Sequence, residues 1–173
     1  VTNQDAWRTV WTSPNERLIV QARDEKQWVR HRFVSNGEGN GAVVVAINDG
    51  NILFVQAPRP VISKTLWELP RGQADNIDKS PEETARREFE EETGLLVSAL
   101  NALGLVYPDS GLCGDAVNVV MASVDSPDDA VESEYETLAW LSPAEIRQEI
   151  SAGHIRDGIS LSALMLAQSK KLI

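Results

Sequence analysis

Three glutamates within five residues, Glu88, Glu91 and Glu92, are the feature of this chain most able to do chemistry. At about 100° per residue on a helix, Glu92 falls about 40° from Glu88 and Glu91 about 60° to its other side. The three carboxylates therefore share one helical edge. The apolar stripe through Ala85 and Phe89 runs beside it, with Glu92 about 20° from Ala85 in projection. The acids thus point partly towards the protein body, where like charges are unfavourable unless a cation compensates them. Hard carboxylate oxygens suit Mg²⁺, Mn²⁺ or Ca²⁺, and Mg²⁺ commonly shares one or two carboxylates with substrate phosphates. Taken alone, the helix has a second reading as a solvated acidic surface, since Glu is a good helix former.

The flanking residues define that helix. Ser80 is a good N-cap, Pro81 suits the first helical position, and Glu83 completes a Ser-x-x-Glu capping box. Gly94 closes the C-terminus. Upstream, Leu66-Trp67-Glu68-Leu69-Pro70-Arg71-Gly72 reads as a short strand broken by proline and glycine. Alternating or dense apolar runs predict strands over Arg17 to Ala22, Trp28 to Val34, Ala42 to Ile47 and Ile52 to Gln56. Asn48-Asp49-Gly50-Asn51 reads as the hairpin turn joining the last two. The Gly37-Glu38-Gly39-Asn40-Gly41 run precedes a strand, not a helix, and so reads as a turn and not as a dinucleotide loop. Further strands are expected over Leu103 to Tyr107, Ala116 to Val124 and Thr137 to Leu141. Helices follow from Ser142-Pro143-Ala144-Glu145 and over Ser160 to Ser169. Strands on both sides of a central helix, with helices at the end, predict an α+β sandwich of mixed sheet.

With 173 residues, 42% of them hydrophobic and 24% charged, the chain suits one globular domain with a real core. A formal net charge of −10 with no long Lys/Arg run argues against nucleic acid as a partner. No apolar run approaches the roughly 18 residues of a membrane span, and the N-terminus lacks the pattern of a secretory signal. The single Cys113 precludes an internal disulfide, which makes a reducing cytoplasm the expected location. His31 and His154 stand alone and are expected to be structural or exposed.

At Arg87-Glu88-Phe89-Glu90-Glu91-Glu92-Thr93-Gly94-Leu95 the chain resembles the Nudix family, whose signature ends in Arg-Glu-apolar-x-Glu-Glu-x-Gly-apolar. Pro70-Arg71-Gly72 matches the family's loop entry. Between the two, this chain has one residue more than the pattern. Counting back from Arg87, Lys79 stands where the pattern has its first Glu; counting forward from Gly72, Asp78 does. The resemblance implies a Nudix-type α/β/α sandwich, residues 41–173, preceded by an antiparallel strand extension, residues 1–40, at a dimer interface. It also implies that Glu88 and Glu92 are the main metal ligands, that Glu91 shares a second metal, that the backbone carbonyl of Arg71 is a further ligand, and that Arg87 orients the carboxylates. Mg²⁺ is the expected ion, with Mn²⁺ as an alternative. Such ions neutralise pyrophosphate oxygens and lower the pKa of an attacking water.

Outside that signature the chain is similar to the ADP-ribose pyrophosphatase branch over roughly residues 7 to 150. The segment Arg59-Pro60-Val61 followed by Glu68-Leu69-Pro70 resembles one that helps hold the diphosphate and terminal ribose, which implies substrate binding by Arg59 and Glu68. An edge-strand charge at Arg59 and a simple ion pair at Glu68 are the alternatives. Tyr107-Pro108-Asp109-Ser110-Gly111-Leu112-Cys113-Gly114-Asp115 resembles a second element of that branch. Here Ser110 replaces a proline and Asp115 a glutamate, and Asp115 is expected at the substrate. Glu132-Ser133-Glu134-Tyr135-Glu136 resembles the loop that supplies the general base, with Glu134 the first choice and Glu136 the second. A mobile acidic loop is the other reading. Most of Trp7, Trp11, Trp28, Trp67 and Trp140 are expected in the core. The expected activity is metal-dependent hydrolysis of ADP-ribose or a related nucleoside diphosphate sugar to a nucleoside monophosphate and a sugar phosphate, by a homodimer. The alternatives are another nucleotide (NADH, GDP-mannose or a coenzyme A derivative) or a non-catalytic nucleotide-binding module.

Overall fold

A computed structural model describes residues 6–35, 40–127, 133–135 and 137–173. Its core is a mixed sheet built around β4 (Gly41–Asn48). Side chains alternate across a strand, so β4 serves two layers at once. Ala42, Val44 and Ala46 face one cluster with Ala85, Phe89 and Leu95, while Val43 and Val45 face another with Ile146, Ala163, Leu164 and Ala167. α1 (Pro81–Thr93) therefore covers one face. α2 (Pro143–Ser151) and α3 (Gly158–Ser169) contribute to the cluster on the other. This is the expected α/β/α sandwich. Full burial of Phe89 alone is worth roughly 2 kcal/mol of transfer free energy.

The path of the sheet is β10-β5-β4-β9-β8, formed by β5 (Asn51–Arg59), β8 (Ala99–Val106), β9 (Val117–Ser123) and β10 (Leu138–Leu141). β4 and β9 run parallel from Gly41↔Val117 to Ile47↔Ser123; the other pairings are antiparallel. The edge of β4 opposite β9 is divided. Only Ile47 and Asn48 pair with β5, and Ala42 and Val43 pair with β7 (Arg71–Gly72). β6 (Lys64–Glu68) pairs with β5, so the chain crosses from one partner strand to the other through Leu69 and Pro70. Val44 N–H donates to Pro70 O at 2.8 Å and fixes that crossing. The crossing brings Arg71 and Gly72 against α1.

A separate three-stranded antiparallel sheet precedes this one: β1 (Arg8–Thr12), β2 (Leu18–Asp24) and β3 (Val29–Ser35). β1 is exposed along its whole length, so it carries no inward-facing alternation for a sequence pattern to reveal. β3 bonds to the loop between β8 and β9. Phe33 N–H donates to Leu112 O at 2.8 Å, and Gly114 N–H donates to Phe33 O at 2.7 Å. A β-carbon on Gly114 would run into Val34, which accounts for glycine there.

Several local expectations need correction. Ser80 does accept from Glu83 N–H, but the Glu83 carboxylate accepts from Lys79 N–H at 2.7 Å, one residue before the N-cap. The reciprocal capping box forms instead at Ser142 and Glu145. β8 begins at Ala99, ahead of the expected Leu103, because its register shifts between Ala102 and Gly104 and breaks the alternation. α3 begins two residues early because Asp157 caps it, accepting from Ser160 N–H at 2.8 Å. Trp67 and Trp140 pack on the core, but Trp11 and Trp28 are exposed, and the Trp7 ring lies under the Arg23 and Arg32 guanidiniums. His154 is exposed but not alone, since its Nδ1 lies 2.7 Å from the Glu149 carboxylate.

Candidate active site

α1 and β7 form the two walls of the site. Gly72 lies directly beneath Glu88, and a β-carbon on Gly72 would overlap the Glu88 carboxylate. Glycine at this position gives the carboxylate room against the strand. Glu92, one turn further along α1, reaches the other residue of β7: its Oε2 accepts from Arg71 N–H at 2.9 Å.

Arg87 organises the outer half of this edge. Its Nε and Nη2 donate to the two oxygens of Asp78 at 3.2 and 2.8 Å, and Nη2 also donates to Gln73 O at 2.8 Å. Its Nη1 donates to Glu88 at 2.8 Å and to Glu91 at 3.2 Å. The guanidinium beside Asp78 holds that carboxyl down at about 2, and Asp78 raises Arg87 in return. Of the two residues that counting leaves open, Asp78 is the one whose side chain pairs with Arg87, while Lys79 donates its backbone N–H to Glu83.

Glu92 sits in a different environment. Only 6% of its surface is exposed, and its Oε1 accepts from the Tyr135 hydroxyl at 3.1 Å. Among the described residues its hydrogen-bond partners are neutral. Burial therefore pushes its carboxyl up to about 7, against the lowering effect of the Arg71 N–H and Tyr135 hydroxyl. Burial also raises Glu88, opposed by Arg87. Desolvation and Glu92 raise the Tyr135 phenol to about 12.

Tyr135 belongs to a short acidic segment tied to the end of α1. The Ser133 hydroxyl donates to Glu92 O at 2.8 Å, and Tyr135 N–H approaches the same oxygen at 3.4 Å. Glu134 lies between them, exposed, and its charge adds to the upward shift of Glu92. Glu136 falls outside the described residues.

Glu68 is a buried ion-pair centre, not a free ligand. It is 1% exposed, and its oxygens receive Arg59 Nε at 2.9 and 3.1 Å and Arg71 Nη2 at 3.0 Å. Its carboxylate oxygens are thus taken up by two arginines. Arg71 also comes within 3.7 Å of Asp157, the α3 cap, which the sequence reading did not single out although its Asp-Gly-Ile-Ser context is a capping signal. Asp115 accepts from Ser35 N–H and lines an apolar groove that reaches Arg71 and Gly72. It is therefore anchored to the N-terminal sheet, at the margin of the carboxylate edge.

Among the described residues, no three His, Cys, Asp or Glu side chains are gathered closely enough to hold an ion by themselves. Arg87 stands between Glu88 and Glu91, and Glu92 is turned to Arg71 N–H and Tyr135. The donor set nevertheless fits a hard divalent cation. Its atoms are carboxylate oxygens, Gly72 lets the Glu88 carboxylate lie close against β7, and among the described residues no cation pairs with the buried Glu92.

The NUDIX domain family model matches residues 37–160. The ADP-ribose pyrophosphatase of Bacillus subtilis (strain 168) is 24% identical over 146 residues, covering 82% of this chain and 78% of that protein. The GDP-mannose pyrophosphatase of Yersinia enterocolitica is 30% identical over 148 residues, covering 78% and 76%. Among solved structures, an ADP compounds hydrolase superposes with a TM-score of 0.76 at 17% identity, over 97% of this chain and 95% of that one. A match spanning well over half the chain, on a sandwich whose Arg87–Asp78 lock and Gly72 cradle set out the signature glutamates, makes this protein a member of the Nudix family of pyrophosphohydrolases.

Proposed function

We propose that the protein hydrolyses the pyrophosphate bond of ADP-ribose or a related nucleoside diphosphate sugar, releasing a nucleoside monophosphate and a sugar phosphate. The observation that carries this reading is the buried Glu92 carboxylate, held beside Glu88 and Gly72 with only neutral hydrogen-bond partners among the described residues. Glu88, Glu92 and Glu91, with the Arg71 carbonyl, would hold Mg²⁺ or Mn²⁺. When bound, such an ion supplies charge neutralisation for the diphosphate and a lower pKa for a bound water. Arg87 keeps Glu88 and Glu91 oriented through its tie to Asp78. Arg59, braced by Glu68, offers a fixed guanidinium to an anionic substrate. Glu134 is the general base we favour, because Ser133 and Tyr135 tether its segment to the Glu92 carbonyl. Glu136 is the second candidate, and Asp115 borders the substrate.

Residues 1–40 would form an extension to a hydrolase domain of residues 41–173. Exposed Val10, Trp11, Trp28 and Val29 on the N-terminal sheet support a homodimer formed through it, and sedimentation velocity should then show twice the chain mass. The lone Cys113 suits the cytoplasm.

The test is turnover of ADP-ribose, ADP-glucose, GDP-mannose, NADH and nucleoside triphosphates with Mg²⁺ or Mn²⁺, read as phosphate released by a coupled phosphatase. Preference for ADP-ribose is the expected result. Preference for GDP-mannose, which the Yersinia relative and the replacements at Ser110 and Asp115 keep open, would leave the chemistry and move the substrate. No turnover by the folded protein with either ion would overturn the reading.

A further inference from the structure

The turn between β1 and β2 faces the loop after β7 across a polar cleft of about 670 Å³. Arg17 stands on the turn side of this cleft, Gln73 on the loop side, and Arg87, Glu88 and Glu91 along α1. At Gln73 it meets a second, more apolar groove of about 240 Å³, lined by Leu18, Phe33, Val34 and Val117 among others. Of two adjacent residues, Arg17 thus lines the polar cleft and Leu18 the apolar groove.

Glu16, Asp75, Glu88 and Glu91 all line the polar cleft, so an anion enters it only where a cationic side chain offsets their charge. Arg87 is already engaged by Asp78, Glu88, Glu91 and Gln73. Arg17 forms no ion pair among the described residues, so its charge is available to a ligand. Its position is also held. Ser13 N–H donates to Leu18 O at 2.8 Å, Leu18 N–H donates to the Ser13 hydroxyl at 2.9 Å, and Arg17 N–H donates to the Asn15 side chain at 3.3 Å. Glu16 is kept at φ 59°, a left-handed conformation that a non-glycine residue holds only where its surroundings fix it.

We propose that the polar cleft receives the sugar-phosphate half of the substrate and that Arg17 pairs with the phosphate of that half, which makes it a specificity-determining residue; the apolar groove takes the base. This rests on the function proposed above. The first measurement is therefore wild-type turnover of ADP-ribose, whose absence would remove that function and not this assignment alone.

Given turnover, Arg17→Ala should raise the KM for ADP-ribose about ten- to hundredfold with kcat within about twofold, as expected for loss of a charge-assisted hydrogen bond made equally in ground and transition states. Product inhibition locates the contact. The inhibition constant of ribose 5-phosphate should rise by a similar factor while that of AMP stays unchanged, and Arg17→Lys should restore most of both losses. A rise for AMP with none for ribose 5-phosphate would put Arg17 on the nucleotide half and overturn the proposal. An unchanged KM in Arg17→Ala would do the same.

Discussion

Two buried glutamates meet the β6–β7 crossing, Glu68 through the Arg71 guanidinium and Glu92 through the Arg71 N–H, and they are solved in opposite ways. Glu68 ends β6 at 1% exposure and is clasped by the guanidiniums of Arg59 and Arg71. Glu92 ends the carboxylate edge of α1 at 6% exposure and receives only a backbone N–H and a phenol among the described residues. Neutral donors satisfy hydrogen bonding but leave the charge uncompensated, and the carboxyl responds with a pKa raised to about 7. One carboxylate is paired with two cations within the protein; the other has only neutral partners among the described residues. The segment Leu69 to Gly72 connects them, so the same crossing that aligns the strand with α1 also fixes the arginines of the Glu68 centre.

The largest expected effect tests this contrast directly. If Glu92 is the metal ligand proposed above, Glu92→Gln should lower kcat by about 10³-fold or more, since it removes charge stabilisation from the reaction. Its melting temperature should stay near or above that of the wild type, because a neutral amide removes an uncompensated buried charge. Glu68→Gln should behave in the reverse sense. Leaving two partly buried guanidiniums without their carboxylate should cost roughly 3 kcal/mol in urea unfolding, and any loss of activity should follow from the displaced arginines. Equal losses of stability in the two variants would break the comparison.

The same contrast predicts how stability without metal depends on pH. The folded-state pKa of Glu92 lies above its ordinary value of 4.5, so the folded form binds the proton more tightly than the unfolded form. Its contribution is therefore fully present below about 4.5 and is lost as pH rises through about 7. The Asp78 carboxyl works in the opposite direction: lowered from 3.8 to about 2, it stabilises above 3.8 and loses that contribution as pH falls towards 2. In EDTA, the wild type should lose stability between pH 5 and 8 relative to Glu92→Gln. Adding Mg²⁺ or Mn²⁺ should raise the wild-type melting temperature more at pH 8 than at pH 6, since a ligand must be deprotonated to bind. A metal-induced shift that does not depend on pH would remove Glu92 from the ligand set.

A smaller effect is expected at Gly72. The atom that an added β-carbon would meet is the end of a flexible side chain, the Glu88 carboxylate, so the chain can relieve the overlap by moving it. Gly72→Ala should therefore cost about tenfold or more in kcat/KM with a loss of stability under about 1 kcal/mol. An activity loss accompanied by a much larger drop in urea midpoint would instead point to strain in β7. The neighbouring lock can be separated in the same way. Asp78→Asn should lower kcat/KM about ten- to hundredfold by freeing Arg87, whereas Lys79→Ala should leave it unchanged.

Much of this was legible in the sequence for identifiable reasons. The helix α1 announced itself through Ser80, Pro81 and Gly94, each of which acts locally. The two faces of β4 are fixed by period-two alternation, although a fully apolar strand hides which face meets which helix. The carboxylate edge followed from helical geometry alone. What stayed hidden depends on contacts between segments distant in the chain. Nothing near Glu68 in sequence says that Arg59 will clasp it, because that pair forms only when β5 and β6 align. The choice between Asp78 and Lys79 was undecidable by counting in either direction, because only the fold shows that the Asp78 side chain reaches Arg87. β1 left no trace because it is exposed along its length. Tyr135 passed as one aromatic residue in an acidic loop until the end of α1 was brought beside it.

Tyr135 therefore provides the finest test of the Glu92 environment. Its hydroxyl is one of two neutral donors to the carboxylate, and the phenol itself is raised to about 12 by burial and by Glu92. Tyr135→Phe removes one hydrogen bond without adding charge or opening the backbone. In the metal-free protein the carboxyl of Glu92 should then rise further, because a donor that favours its ionised form is gone. The fall in stability between pH 5 and 8 should shift to higher pH, and the overall cost should be about 1 kcal/mol. With metal bound, the cation supplies the compensation that the phenol gave only in part. The variant should then differ from the wild type by no more than a few-fold in kcat/KM. A loss as large as that of Glu92→Gln would mean that the phenol itself meets the reacting groups, and that the acidic segment after Ser133 belongs to the catalytic machinery through Tyr135 as well as through its glutamates.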